Sequence, residues 1–312
     1  MSKILIFLSL VFTISIKSFI SLWVFIEINL IRYLIWQYSI KDCVSMVKYF
    51  LIQAFFSSNL LFLFLIIIIP LKFEIVYFLF MFIILRKLGT PPIFIWFINF
   101  CLIAKIKNLL LASTIQKLIP FFILYNFTFK IYWYWVNLIV LCVCLRLHRS
   151  LNIKKILAFS ALFNIIWVLM ALSSIFIILI FMLFYGLNLL LLVKIIEKRT
   201  KSNLFSDLVL NHQNKMYILC FFRVLVRIIG MPPFNGFFTK ILILEFILNK
   251  NIEFLIILSL VLLCNIFLIF AYFRLIFLSL TLQANFNSLK FGSEKDFKFI
   301  VFMNVVSVLW II

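Results

Sequence analysis

Long apolar runs separated by short polar intervals fill this chain from end to end. Crossing the hydrocarbon of a bilayer takes about 20 apolar residues of helix, and the runs are of that order. They fall at 3–17, 19–38, 44–69, 73–98, 106–127, 130–147, 153–172, 174–196, 216–248, 252–280 and 297–312, eleven in all. Lipid offers no hydrogen-bond partners, so a spanning segment must pair its backbone N–H and C=O groups internally. Helix meets that demand within one segment. The pattern therefore predicts an all-α polytopic protein forming a single membrane domain, 1–312, with no room for a separate soluble one.

Two runs are interrupted in the same way. Leu88-Gly89-Thr90-Pro91-Pro92 in the fourth returns as Ile229-Gly230-Met231-Pro232-Pro233 in the ninth, and aromatic residues follow both. Consecutive prolines remove two backbone donors, so each helix should break, leaving unpaired carbonyls before the break and free N–H groups after it. Paired broken helices in two halves of a membrane protein point to a transport site. The copies lie five runs apart, an odd offset, so they cross the bilayer in opposite directions. The expected organisation is two inverted repeats, 1–127 and 128–280, followed by a loop and C-terminal helix at 281–312. The alternative is two proline kinks of independent origin.

Ionisable residues inside these runs supply the candidate chemistry. Lys117 is the midpoint of Asn108–Asn126, nine residues from either end, or roughly 13 Å of helix. Its stem can hardly carry the ammonium to a surface. An ionisable group at the bilayer midplane costs at least ~2.5 kcal/mol and is a functional candidate by default. Pro120, three residues on, cannot donate to the Gln116 carbonyl, which leaves an acceptor beside the lysine and makes Pro120 an expected helix break. Glu27 lies well inside the second run, Lys87 just before the first break, and Lys240 beyond the second. Burial disfavours the charged form of lysine and glutamate alike, while an approaching opposite charge restores it. Such coupling moves a proton from site to site, and Glu27, Lys87, Lys117 and Lys240 are the candidates for it. The plainer reading is structural pairing of charges across the bundle. For Lys240 that partner would be Glu245, although five positions is an awkward spacing for one helix face. Arg223 and Arg227 also flank the second break, and either line a water path or brace it.

Composition sharpens this picture in three respects. Two-thirds of the residues are hydrophobic (67%) and mean hydropathy is +1.28, which excludes a soluble domain. The net charge of +20 does not call for nucleic acid, because the basic residues lie mostly in short loops. Sixteen lysines and arginines fall in or beside the loops after the even-numbered runs, against four after the odd ones. Positive loops stay inside, so the N-terminus is expected on the inner face and the C-terminus on the outer. The six cysteines form no C-x-x-C pair, and most lie within apolar runs as small hydrophobes. No Gly-rich phosphate loop occurs, so no metal, nucleotide or redox cofactor is expected. Only Met1 to Lys3 precede the first run, and no Arg- and Ser-rich import presequence is expected. Abundant Phe, Ile, Leu, Lys and Asn, all with A+T-rich codons, point to a genome such as that of an organelle.

Seven segments carry a resemblance: WVFIEINL (23–30), VKYFLIQAFFSSNLL (47–61), RKLGTPPIFIWF (86–97), TIQKLIPFFILYN (114–126), NIKKILAFSALFNIIWVLMAL (152–172), GMPPFNGFFTK (230–240) and YFRLIF (272–277). Together, and in this order, they resemble the antiporter-like membrane subunits of respiratory complex I. The resemblance implies fourteen helices in bacteria and eleven in bilaterian animals, whose version lacks the first three. It also implies a proton route in which a glutamate pairs with a lysine beside the first break. A central lysine and one after the second break follow. Those roles fall on Glu27, Lys87, Lys117 and Lys240. Where the family often has His and then Glu after the first break, this chain has Phe94 and Asn99, and Ser160-Ala161-Leu162-Phe163-Asn164 replaces Ser-Ser-x-x-His.

On this reading the chain is a proton-translocating, non-redox subunit of a mitochondrial inner-membrane NADH:ubiquinone oxidoreductase. Its expected partners are the other membrane subunits, neighbouring antiporter-like ones among them, and membrane lipids. The rival reading is a stand-alone cation/proton antiporter of the related bacterial type. A membrane scaffold without activity is a third, with no use for four charges at mid-membrane.

Overall fold

The computed structural model describes residues 19–37, 43–68, 73–91, 94–126, 132–147, 152–197, 215–232, 234–248 and 252–284. The expected runs 3–17 and 297–312, and Pro92 and Pro233 of the breaks, lie outside the described residues. The described residues are helix joined by short turns and single extended residues, with no strand among them. In chain order the helices are α1 (Phe19–Gln37), α2 (Cys43–Ile68), α3 (Phe73–Leu88), α4 (Ile95–Ile103), α5 (Ile106–Ser113) and α6 (Ile115–Asn126). They continue with α7 (Tyr132–Leu147), α8 (Ile153–Met170), α9 (Ile175–Glu197), α10 (Lys215–Ile229), α11 (Asn235–Leu248) and α12 (Ile252–Ala284). The protein is all-α and polytopic. Among the described residues six stretches are long and apolar enough to cross a membrane, including α1, α2, α8 and α9. The run at 73–98 is divided between α3 and α4, and that at 216–248 between α10 and α11.

Burial differs from helix to helix in a way that fits lipid as the surrounding medium. Ile35, Phe55, Phe62, Phe176, Leu183 and Phe270 are all exposed, and no aqueous surface would tolerate so much bare apolar area. In contrast, α8 is buried along nearly its whole length, with Trp167 fully enclosed. Most of α5 and α6 is buried too. These inner helices present side chains to protein on every side.

Internal contacts divide the chain into two compact units, Met1–Cys142 and Val143–Ile312, and the boundary falls inside α7. In the first, α2 packs against α1, α3 and α4, and α6 packs against α3 and α5. In the second, α9 lies against α10 and α11, α12 against α10, and α8 against α11 and α12.

Each break is a glycine-capped helix end. Gly89 has φ +81° and Gly230 φ +78°, the left-handed conformation that only glycine adopts readily. At the first, Gly89 N–H donates to Arg86 O (2.9 Å) and Thr90 N–H to Leu85 O (3.0 Å). At the second, Gly230 N–H donates to Arg227 O (3.1 Å) and Met231 N–H to Val226 O (3.4 Å). Both sets are the paired closing bonds of a Schellman motif. The expectation of unpaired carbonyls before the breaks is corrected accordingly. Thr90 Oγ1 also donates to Leu85 O (2.8 Å), Gln53 Nε2 to Lys87 O (3.2 Å), and Lys240 Nζ to Ile229 O (2.6 Å). An open carbonyl in hydrocarbon is costly, and neighbouring side chains satisfy these ones.

The break expected at Pro120 is corrected in position, for it forms six residues upstream. The run around Lys117 is divided at Thr114 into α5 and α6, while Pro120 sits inside α6. Ser113 Oγ and Thr114 Oγ1 both donate to Leu110 O, at 2.9 and 2.8 Å. Hydroxyls bonded back to the preceding turn bend helices, and the Pro120 ring crowds the carbonyl four residues before it. The strain is relieved upstream of the proline, and Lys117 N–H bonds Thr114 O (3.1 Å) in a tightened turn.

Candidate functional site

The first unit holds three of the four expected residues. Lys87 occupies the last turn of α3, where the negative end of the helix dipole favours a cation. Its neighbour Arg86 turns away onto the Phe82 ring, 3.7 Å from the ring centre. Lys87 itself is only 8% exposed. Glu27, half-buried on α1, bears electrostatically on Lys87, yet neither Glu27 Oε1 nor Lys87 Nζ makes a hydrogen bond to the protein. The two charges therefore act on each other without a direct bond.

Lys117 follows the Thr114 bend and is 4% exposed. Its ammonium lies over the Phe97 ring, 4.4 Å from the centre, an attraction worth about 2 kcal/mol when desolvated. Phe97 is there because Gly89 lacks a side chain: a Cβ on Gly89 would come within 2.9 Å of Phe97 Cβ. The first break thus makes the space in which the ring beneath Lys117 is seated.

Lys240 lies in the second unit, one turn into α11, with 6% exposure. Its side chain runs back across the break, and Nζ donates to Ile229 O (2.6 Å) and Asn265 Oδ1 (3.0 Å). The Trp167 ring centre is 5.5 Å from Nζ. Glycine again makes room, for a Cβ on Gly230 would meet Lys240 Cδ at 3.2 Å. Glu245 is exposed on α11, and Lys240 does not turn to it. Arg227 is buried, with its guanidinium 5.8 Å from the Phe234 ring centre across the break.

The sequence reading overlooked the uncharged polar residues around these lysines. Asn29 Nδ2 donates to Gln116 Oε1 (3.2 Å), Gln53 holds the Lys87 carbonyl, and Asn265 holds Lys240. A cavity of about 20 Å³ is lined by Asn29, Gln53, Lys87, Gln116 and Pro120, among others. The available signal was an amide well inside an apolar run, as demanding of a partner there as a charge is of compensation.

Comparison with known proteins agrees with this architecture. The pattern of the NADH:quinone oxidoreductase/Mrp antiporter transmembrane family matches residues 69–268, which take in both breaks and all three lysines. The NADH-ubiquinone oxidoreductase chain 2 of Anopheles gambiae is 28% identical, over 92% of this chain and 90% of its own length. That of Rhipicephalus sanguineus is 26% identical, over 96% and 95%. Among solved structures, a chain of the archaeal membrane-bound sulfane sulfur reductase superposes with a TM-score of 0.75 at 16% identity, covering 97% of this chain and 71% of that one. A chain of respiratory complex I from Thermus thermophilus gives 0.68 at 17% identity, covering 97% and 75%. With the family pattern spanning well over half its length, the chain belongs to the NADH:quinone oxidoreductase/Mrp antiporter membrane family.

Proposed function

We propose that this chain is a proton-translocating membrane subunit of a NADH:ubiquinone oxidoreductase. The observation that carries this reading is the placement of the three lysines. Each is buried in a membrane helix, and each sits beside a helix discontinuity. A buried amine can hold a proton only while its surroundings compensate the charge, so a change in those surroundings releases it. Glu27 supplies one such compensation to Lys87, and rotation of its side chain toward or away from the amine would load or unload it. Lys117 rests on a ring face, a weaker seat than a carboxylate and an easier one to leave. Lys240, on its carbonyl and amide, serves the second unit in the same capacity.

Redox chemistry belongs, on this proposal, to other chains of the complex, whose conformational changes reset the charge states here. The chain sits in the mitochondrial inner membrane among further membrane subunits, antiporter-like ones included. Its N-terminus lies on the matrix side and its C-terminus on the intermembrane-space side, as the excess of basic residues in the even loops supports. The experiment is Lys117→Met in the assembled complex. The number of protons moved per NADH should fall, while electron transfer from NADH to a soluble acceptor continues. An unchanged proton stoichiometry would overturn the role. Purification in mild detergent distinguishes the stand-alone antiporter, since that protein would separate from redox subunits.

A further inference from the structure

We infer that Arg227 is a specificity-determining residue of the second unit: an enclosed, permanent positive charge that keeps metal cations out of the second helix break. The inference rests on the proton-translocating reading above, and it concerns which cation the break admits.

A broken membrane helix is a natural seat for sodium, because transporters coordinate that ion with the carbonyl oxygens of an unwound segment. At this break the oxygens are already engaged. Val226 O and Arg227 O both accept from Gly230 N–H (3.1 Å each), and Met231 O accepts from Phe234 N–H (3.0 Å). Ile229 O and Asn265 Oδ1 accept from Lys240 Nζ at 2.6 and 3.0 Å. The amine of Lys240 therefore occupies the place where a sodium ion would find a carbonyl and an amide oxygen. That protection lapses once Lys240 gives up its proton. A neutral amine donates more weakly than an ammonium and repels no cation.

Arg227 cannot lapse in this way, since a guanidinium is not deprotonated in a protein. It stands two residues before Ile229, at 3% exposure. Its carbonyl is pressed against Gly236, where any Cβ would collide with it. Its guanidinium lies 5.8 Å from the centre of the Phe234 ring beyond the break. Nε and Nη2, which together form the edge that grips a carboxylate side-on, make no hydrogen bond. An arginine bracing the break would spend that edge on an oxygen. Left unpaired there and enclosed, the charge is little screened, and its field reaches across the break. Arg223, half-buried one turn earlier on α10, adds a second positive charge close enough to act on the first.

A proton and a sodium ion meet this field on different terms. The proton gains a covalent N–H bond at Lys240. Sodium gains only oxygen ligands, and those are held by Lys240 or by the closing turn, so nothing offsets the repulsion.

The assembled complex tests this in liposomes loaded with radioactive sodium, under an imposed diffusion potential positive inside. Wild type should retain the ion. Arg227→Gln, which keeps a polar side chain and removes the charge, should release it roughly tenfold faster or more, the scale on which a fixed charge alters local ion concentration. Arg227→Lys, which restores a cation, should retain most of it, a rescue that lost packing would not give. Arg223→Gln alters a half-buried site and should raise release to a smaller extent. Sodium retention in assembled Arg227→Gln, or in Arg223→Gln where the first variant fails to assemble, would overturn the inference. Equal release from Arg227→Gln and Arg227→Lys would do the same. Proton stoichiometry in Lys117→Met is read separately: if unchanged it removes the proposed function, whereas sodium retention in the arginine variants removes only the barrier.

Discussion

At the scale of single residues, the buried lysines are settled by what lies within a few ångströms of each amine. Lys240 has two acceptors, Ile229 O and Asn265 Oδ1, and only the second can be removed by substitution. Asn265→Leu deletes a hydrogen bond to a charged group, about 1.5–3 kcal/mol of compensation. Proton transfer through the second unit should become rate-limiting, seen as a lower proton-to-electron ratio with normal subunit content. A ratio equal to wild type would show Asn265 to be idle. The four charges were legible from sequence because an ionisable residue deep in an apolar run has few innocent explanations. Their amide partners were not, since Asn29, Gln53 and Asn265 become informative only when distant helices meet. The resemblance also implies a Glu27–Lys87 pair, and in the fold Glu27 bears electrostatically on Lys87 with no hydrogen bond at Glu27 Oε1 or Lys87 Nζ.

Helix by helix, the sequence was more transparent. Gly-x-Pro-Pro announces a break because two donors are missing, and both breaks lie where the motif puts them. What the motif did not convey is how closed they are, with Schellman bonds and side chains taking up the carbonyls. Near Lys117 the proline alone predicts a break at Pro120, whereas the Ser113 and Thr114 hydroxyls bonded to Leu110 O place it upstream. These glycines permit a direct test. Gly89→Ala places a Cβ against Phe97 at a left-handed residue, and Gly236→Ala, in the first turn of α11 beyond the second break, drives one into the Arg227 carbonyl. The left-handed conformation costs the Gly89 variant about 1–2 kcal/mol, and overpacking costs each variant about 1–3 kcal/mol. Both variants should reduce the assembled complex on native gels. Thr90→Ala, which loses one hydroxyl bond to Leu85 O, should cost about 1 kcal/mol and assemble nearly normally.

For the whole molecule, the proposed orientation makes a prediction independent of any mechanism. A single cysteine introduced in the loop near residue 200 should react with an impermeant thiol reagent from the matrix side only. One near residue 250 should react from the opposite side only. Labelling of both from one side would refute the topology. The seat of Lys240 bears on a different property of an energised membrane. Its ammonium rests at the carbonyl end of α10, and a cation at such a partly buried helix terminus gains up to ~2 kcal/mol. A voltage of 100 mV acts on one charge crossing the full membrane with about 2.3 kcal/mol. The two are of the same size. On the proposed proton-carrying role, the end of α10 therefore holds the Lys240 charge with an energy of the same order as the voltage exerts on it, so the loading of Lys240 should respond to membrane potential as well as to pH.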